Sequence, residues 1–155
     1  MLITRDVLDR PRCYTEPGRR SEMTKPKAAY TGSMPEFYEQ YMVPLHFGWH
    51  GKVLAERLAD LTASEVLEIA AGTGAVTRAL VAILPGSVGI TATDLNQPML
   101  DVAASHTGLG RVRWRQADAM TLPFEDRAFD AVICQFGVMF FPNKRTAFAE
   151  AWRVL

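Results

Sequence analysis

The sequence predicts an α/β fold built on a doubly wound, mostly parallel sheet. Strand-like and helix-like segments alternate from residue 65 to residue 155, which is the pattern of a parallel sheet with crossover helices. The strand-like runs 66–70 and 131–134 are almost wholly apolar, as expected of parallel strands that are covered on both faces. Sheets of this class bind ligands at the carboxyl ends of their strands, so we expect a functional site at that edge.

The bulk properties of the chain limit its partners. It has 155 residues, 48% of them hydrophobic, which suffices for one domain with a hydrophobic core. Its 17 basic and 17 acidic side chains cancel, so the charge favours a small-molecule partner over nucleic acid or an anionic membrane surface. No apolar run reaches the roughly 18 residues of a membrane span. Cys13 and Cys134 lie in contrasting contexts rather than in a disulfide framework, so we expect a cytoplasmic protein.

Two segments precede the predicted sheet. Residues 1–28 mix charges with proline and glycine, which predicts a flexible polar leader. Residues 29–62 carry apolar and aromatic side chains at helical spacing, which predicts an N-terminal helical cap of two helices joined near residues 44–48. Two interpretations of its aromatic side chains are open. They form a lid over a ligand, with Tyr41 nearest to it, or they pack against the core.

Residues 63–155 form the predicted binding domain. Apolar periods and turn residues predict strands at 65–70, 87–93, 112–117 and 131–136, and helices at 76–84, 97–105 and 144–155. A short loop or turn, rather than a helix, separates the last two strands.

The turn after the first of these strands is the strongest sign of a ligand site. It contains Gly72 and Gly74 and leads directly into a helix. Glycine has no Cβ, so a ligand can lie against the main chain, and the free N–H groups at a helix start attract electron-rich groups. Taken alone, the segment is also compatible with a plain tight turn.

Acidic residues follow the next two strands. Asp94 can accept hydrogen bonds from both hydroxyls of a ribose, because an ionised carboxylate is an acceptor only. The same position, together with Asn96, also suits a helix cap. Asp118 can accept from the exocyclic amine of adenine, although a single acid in such a loop is commonly solvated. Around one glycine-rich turn, these acids predict a ligand that contains adenosine.

These segments resemble the class I S-adenosylmethionine-dependent methyltransferases, of the type 11 and quinone-biosynthesis C-methyltransferase kind. The resemblance covers residues 64–155 and rests on 66–74, 92–100, 116–119 with 122–124, and 129–137 with 140–142. The sequence departs from the family pattern at Ala70, where the family has its first glycine. The resemblance implies a Rossmann-like enzyme that transfers a methyl group from S-adenosylmethionine to a small-molecule acceptor by in-line displacement, leaving S-adenosylhomocysteine.

The resemblance also implies a role for individual residues. Glu68 would orient the methionyl ammonium through water, and Ala70, Gly72 and Gly74 would let the backbone pass close to the donor. The other implied contacts are Asp94 with the ribose, Leu95 and Met99 with adenine, Asp118 with its amine, Ala119 through its N–H, and Gln135 and Phe136 beside the sulfonium.

The implied chemistry needs no metal and assigns no catalytic residue. His46 and His50 are the nearest candidates for a general base, and both also suit an exposed helix end. Two other functions stay open. One is a non-catalytic module that only binds S-adenosylmethionine. The other is an NAD(P)-dependent oxidoreductase, against which Thr77 occupies the position of the third glycine in the dinucleotide fingerprint.

The order of the elements predicts an exposed edge as well. In the related fold further strands follow the helix at 144–155, and one of them lies beside the strand at 131–136. Without it, that strand would be an apolar edge with unpaired backbone groups. We therefore expect either a fragment of a longer enzyme, with its C-terminal strands missing, or a chain that covers this edge by forming a homodimer.

Overall fold

The computed structural model describes residues 1–4, 32–60 and 62–155. A five-stranded sheet has the order β1-β5-β2-β3-β4. Its strands are β1 (Leu2–Thr4), β2 (Glu65–Ile69), β3 (Gly89–Asp94), β4 (Val112–Gln116) and β5 (Ala131–Ile133). The α-helices are α1 (Met34–Phe37), α2 (Gly48–Glu56), α3 (Ala75–Ile83), α4 (Gln97–Ser105) and α5 (Lys144–Val154). A π-helix, Tyr38–Phe47, joins α1 to α2, and a 3-10 helix, Gly137–Phe140, follows β5.

The central strands are parallel and covered on both faces, which confirms the predicted fold class. Strand β2 pairs in parallel with both β3 and β5, and β3 pairs in parallel with β4. Successive residues of a strand point to opposite faces. Accordingly, Val66 and Ile133 belong to one buried apolar cluster, whereas Leu67 and Val132 belong to a second one. This packing explains why the runs 66–70 and 131–134 are almost wholly apolar.

The first residues of the chain form a strand, so the predicted leader is wrong for residues 1–4. Strand β1 runs antiparallel to β5, with Leu2 opposite Ile133. The N-terminal ammonium donates to the Cys134 carbonyl at 2.7 Å. Leu2 packs on one apolar cluster and Ile3 on the other, so these side chains bury surface on both faces. Residues 5–31, most of the predicted leader, lie outside the described residues.

The same pairing overturns the predicted exposed edge. Strand β5 lies between β1 and β2, so its backbone groups have partners on both sides. A homodimer was expected to cover an open edge at β5, and β5 has no such open edge. None of the helices in the described residues combines the length and the apolar character needed to cross a membrane.

The N-terminal helical segment also differs from expectation. Two helices with a break near residues 44–48 were predicted, but α1, the π-helix and α2 follow one another without interruption. Gly48 has a helical φ of −63°, and its N–H donates to the Val43 carbonyl five residues earlier. Proline has no N–H to donate within a helix. The wider π-type bonding accommodates Pro44 inside the segment, so neither Pro44 nor Gly48 ends it.

Polar and packing contacts hold this segment on the domain. The π-helix residue Glu39 accepts a hydrogen bond from Arg78 of α3 at 2.8 Å, and His106 lies 3.3 Å from the same carboxylate oxygen. A Cβ on Gly51 of α2 would lie 3.3 Å from the Ala75 carbonyl oxygen, so glycine permits the close packing of α2 on α3. As a result, the segment lies beside the carboxyl ends of the strands.

Candidate functional site

The turn between β2 and α3 has an unusual backbone. Ala70, Gly72 and Gly74 all have positive φ, at 57°, 57° and 82°. The left-handed region costs a non-glycine residue roughly 1–2 kcal/mol, so Ala70 keeps a glycine-like shape at some cost. Ala70 is also the position at which the sequence departs from the family pattern.

Gly72 and Gly74 serve different purposes. A Cβ on Gly72 would lie 3.8 Å from Met99 Cε and 3.9 Å from Tyr38 Cε1, and Gly72 lines a cavity with both residues. A Cβ on Gly74 would instead lie 3.1 Å from Ala103 Cβ, in the packing between helices. Gly74 thus permits the close packing of α4, and its expected approach to the donor stays a prediction.

Asp94 connects the turn to the start of α4. It is the last residue of β3 and is 8% exposed. Its Oδ2 accepts from the Gly72 N–H at 2.9 Å and its Oδ1 from the Asn96 N–H at 2.8 Å. The Asn96 Nδ2 also donates to Oδ1, at 3.3 Å, so of the roughly four lone pairs of a carboxylate one stays open, on Oδ2. Asp94 can therefore fix the turn and still accept a hydrogen bond from a ligand through Oδ2.

A first cavity lies at the carboxyl ends of β3 and β4. We call it the strand-end cavity, and it has a volume of about 90 Å³. Its lining includes Ala70, Asp94, Leu95, Asp118, Ala119 and Met120. The Asp118 Oδ1 accepts from the Met120 N–H at 3.0 Å, which fixes the loop after β4. The strand-end cavity thus brings together two acids that the sequence singled out separately.

A second cavity, of about 390 Å³, lies between the strand ends and the helical segment. We call it the aromatic cavity, and its lining includes Tyr38, Phe47, His50, Met99, Phe136 and Phe140. Tyr38 and Phe47 stack with their ring centroids 5.0 Å apart, and Phe47 meets Phe136 edge-on at 5.6 Å. The helical segment therefore contributes one wall of a cavity and does more than pack on the core.

The tyrosine of this segment that borders the aromatic cavity is Tyr38, whereas Tyr41 was expected to lie nearest the ligand. Tyr41 is half-exposed, stacks on Phe37 at 5.8 Å and lines neither of these two cavities. Tyr38, three residues earlier, lies beside Gly72 instead. The π-helix explains the difference, because its i→i+5 bonding alters which residues share a face.

A third, smaller cavity of about 30 Å³ lies under the turn. We call it the acidic cavity, and its lining includes Glu68, Thr73 and Gln135. Thr73 Oγ1 and Gln135 Oε1 are buried there without a hydrogen-bond partner among the described residues. Buried polar atoms of this kind are normally paired. The space and the oxygens suit one small donor, such as a water molecule or an ammonium group.

Gln135 and Gly137 act at the end of β5. The Gln135 Nε2 donates to the Phe47 carbonyl at 3.1 Å, which ties the helical segment to the sheet. A Cβ on Gly137 would overlap the Ala70 Cβ and lie 2.9 Å from Cys134 Sγ. The sequence assigned no role to Gly137, because nothing in the local pattern reveals a neighbour 67 positions away.

Glu68 is a buried acid in the middle of this site. It is 2% exposed, and its Oε2 accepts from Thr77 Oγ1 at 2.6 Å. Burial raises the pKa of Glu68 to about 8, a rise that the hydrogen bond from Thr77 opposes and the charge of Asp94 reinforces. The charge of Arg78 lowers this pKa by less than burial raises it, so the Glu68 carboxyl group favours its protonated form at neutral pH.

Glu68→Gln is expected to flatten the pH dependence of stability. Between about pH 4.5 and pH 8 the folded protein keeps the Glu68 proton, whereas the unfolded chain releases it. The free energy of unfolding should therefore fall as the pH rises through this window, by up to about 1.4 kcal/mol per pH unit. Urea denaturation at pH 5 and pH 8 measures the fall. The exposed Glu56 provides a control, since Glu56→Gln should keep the wild-type slope. Equal slopes for the wild type and Glu68→Gln would contradict the role of burial.

Comparisons with known proteins identify this arrangement. A family model described as a methyltransferase domain matches residues 66–155. The demethylmenaquinone methyltransferase of Deinococcus radiodurans is 38% identical over 110 residues, which are 70% of this chain and 45% of that protein. The ubiquinone/menaquinone biosynthesis C-methyltransferase UbiE of Stutzerimonas stutzeri is 32% identical over 129 residues, 81% of this chain and 46% of that protein. The chain thus spans about half the length of these relatives.

Solved structures share the fold. The YcgJ protein of Bacillus subtilis has a TM-score of 0.61 at 31% identity, covering 69% of this chain and 46% of that one. CalS10 of Micromonospora echinaspora, an amino pentose methyltransferase solved with S-adenosylmethionine bound, has a TM-score of 0.61 at 25% identity, covering 75% of this chain and 50% of that one.

Proposed function

This chain belongs to the methyltransferase domain family, and from that premise we propose that it binds S-adenosylmethionine and presents its methyl group to a small-molecule acceptor. The observation that carries the proposal is the position of Asp94. It bonds the glycine-rich turn through Gly72 and borders both the strand-end cavity and the aromatic cavity. If Asp94 holds the ribose of the donor, the adenine base would extend into the strand-end cavity and the sulfonium would point toward the aromatic cavity.

The lining of the three cavities supports specific contacts. In the strand-end cavity, Leu95 would pack on adenine, Asp118 would accept from its amine, and the Ala119 N–H would meet a ring nitrogen. In the acidic cavity, Glu68 and Gln135 would hold the methionyl ammonium, directly or through one water molecule. The unpaired Gln135 Oε1 supports this contact, because a bound donor group would satisfy it.

The aromatic cavity suits the reacting end of the donor. S-adenosylmethionine supplies a methyl group that is already activated by a sulfonium. The protein then has to align the acceptor with that carbon and exclude water. Cations are attracted to aromatic rings, and Tyr38, Phe47 and Phe136 supply such rings here. Met99 borders this cavity, so we propose it for the ribose and sulfonium side of the donor.

The acceptor is a separate part of the proposal. The named relatives act in quinone biosynthesis, and a cavity with aromatic walls suits a flat ring. We therefore propose a small, ring-containing acceptor for the whole protein. Because the chain spans about half the length of its relatives, donor binding without turnover is the second candidate function. A cytoplasmic location stays a prediction from the sequence.

A thermal-shift comparison tests the donor site. S-adenosylhomocysteine at about 100 times its dissociation constant should raise the free energy of unfolding by about 2.7 kcal/mol, which raises the melting temperature. NAD and NADP at the same concentration should leave the melting temperature unchanged, because Thr77 occupies the position of the third glycine in the dinucleotide fingerprint. Stabilisation by NAD or NADP alone would overturn the proposal in favour of that alternative.

A further inference from the structure

The aromatic cavity has polar groups at only a few points of its wall. Its volume of about 390 Å³ falls within the range of small-molecule sites, about 300–1,000 Å³. No lysine or arginine is among the described residues that line it, and Asp94 is its single carboxylate. A negatively charged occupant would therefore be repelled rather than paired. This composition favours a neutral, mainly apolar ligand.

His50 is one of the polar side chains, with Tyr38 and His46, that the helical segment contributes to this cavity. It belongs to α2, and its Nδ1 lies 2.6 Å from the His46 carbonyl oxygen. A carbonyl oxygen only accepts hydrogen bonds, so the Nδ1 must carry the proton. In the neutral imidazole the other nitrogen, Nε2, is then an acceptor. The backbone of the helix thus fixes the tautomer of His50 before any ligand arrives.

Neighbouring rings also restrict how His50 can turn. Its ring meets Phe136 edge-on with centroids 5.3 Å apart and meets Trp49 edge-on at 4.9 Å. His46 borders the same cavity, but among the described hydrogen bonds it contributes its carbonyl and none involves its ring. Of the two histidines, His50 is therefore the one with a defined acceptor nitrogen.

We propose that His50 is a specificity-determining residue of the acceptor site and selects a neutral aromatic ring that bears a hydroxyl. The ring would lie among Tyr38, Phe47 and Phe136, and its O–H would donate to His50 Nε2. The inference rests on the proposed function, because it assigns the aromatic cavity to the methyl acceptor. It adds the chemical group by which that acceptor is recognised.

Two probes of matched size test the proposal. The protein is saturated with S-adenosylhomocysteine, and 2-naphthol and 2-methylnaphthalene are titrated into it by fluorescence. They differ by a hydroxyl in place of a methyl group. The wild type should bind 2-naphthol about five- to tenfold more tightly, the effect of one hydrogen bond. Equal affinity for the two probes, or no binding of either, would overturn the proposal.

Variants assign the preference to one side chain. His50→Phe should abolish it while binding 2-methylnaphthalene as the wild type does, and His50→Gln, which keeps an acceptor oxygen, should retain part of it. His46→Phe should keep the preference. His50 is exposed, so these substitutions leave the core intact. A preference that persists in His50→Phe would sink the assignment. A failure of S-adenosylhomocysteine to stabilise the protein would instead count against the donor site, and the naphthol preference can then be measured without it.

Discussion

Replacing Gly72 with valine is expected to abolish the binding of S-adenosylhomocysteine. Gly72 has a φ of +57°, which a β-branched residue rarely adopts. Its new side chain would also point toward Met99 and Tyr38, whose nearest atoms lie 3.8 and 3.9 Å from the ideal Cβ, and so into the proposed path of the donor. We expect the dissociation constant to rise by at least about 100-fold, equivalent to about 2.7 kcal/mol, measured by calorimetric titration.

Gly108→Val separates the loss of binding from backbone strain. Gly108 has a φ of +82°, and a Cβ there would meet nothing within 4 Å. This variant should lose comparable stability and keep its affinity for S-adenosylhomocysteine. If Gly72→Val binds the ligand as tightly as the wild type, the turn does not carry the donor. If both variants lose binding to the same extent, strain alone explains the effect.

Asp94→Ala is expected to give the second-largest loss of donor affinity. The substitution removes the proposed partner of the ribose hydroxyls and also leaves the Gly72 N–H without its acceptor. Leaving buried polar groups unpaired costs about 1–3 kcal/mol. We therefore expect the dissociation constant of S-adenosylhomocysteine to rise about five- to 150-fold, measured by calorimetric titration. Circular dichroism should show that the fold survives.

Asp130→Ala is the matched control for this variant. The Asp130 Oδ2 also accepts two backbone N–H groups, from Ser64 at 2.8 Å and from Glu65 at 3.0 Å. These contacts lie at the start of β2, at the opposite end of the sheet from the turn. Asp130→Ala should therefore lose stability and keep its affinity. Wild-type affinity in Asp94→Ala would show that another residue holds the ribose.

The parallel part of the fold was predictable because its signals are local. The apolar runs at Val66 and Ala131 and the glycines of the turn each indicate one element within a few residues. The pairing of β1 with β5 has no such signal. Leu2 and Ile133 are far apart in the sequence, and a three-residue apolar run near a charged stretch does not by itself predict a strand. Whether this run forms a strand depends on its pairing with β5.

The residues of the candidate site were likewise predictable only where their signal lies in the local sequence. Asp94 and Asp118 were predicted because each follows the end of a predicted strand, and the structure brings both to the strand-end cavity. The contribution of Tyr38 was not predicted, because nothing in the local sequence reveals the π-helix that contains both Tyr38 and Tyr41. Gln135 was singled out only through the family resemblance. Its bond to the Phe47 carbonyl joins segments whose proximity depends on the whole fold.

The π-helix at Tyr38–Phe47 allows the lining of the aromatic cavity to change through a change in chain length as well as through side-chain substitution. Successive residues of an α-helix are offset by about 100° around its axis. Deleting one residue from the segment would favour ordinary α-helical bonding. Such a deletion would rotate Tyr38 around the helix axis relative to α2, and so move its side chain away from Gly72. Single-residue insertions and deletions here would therefore change which side chains of the segment border the aromatic cavity.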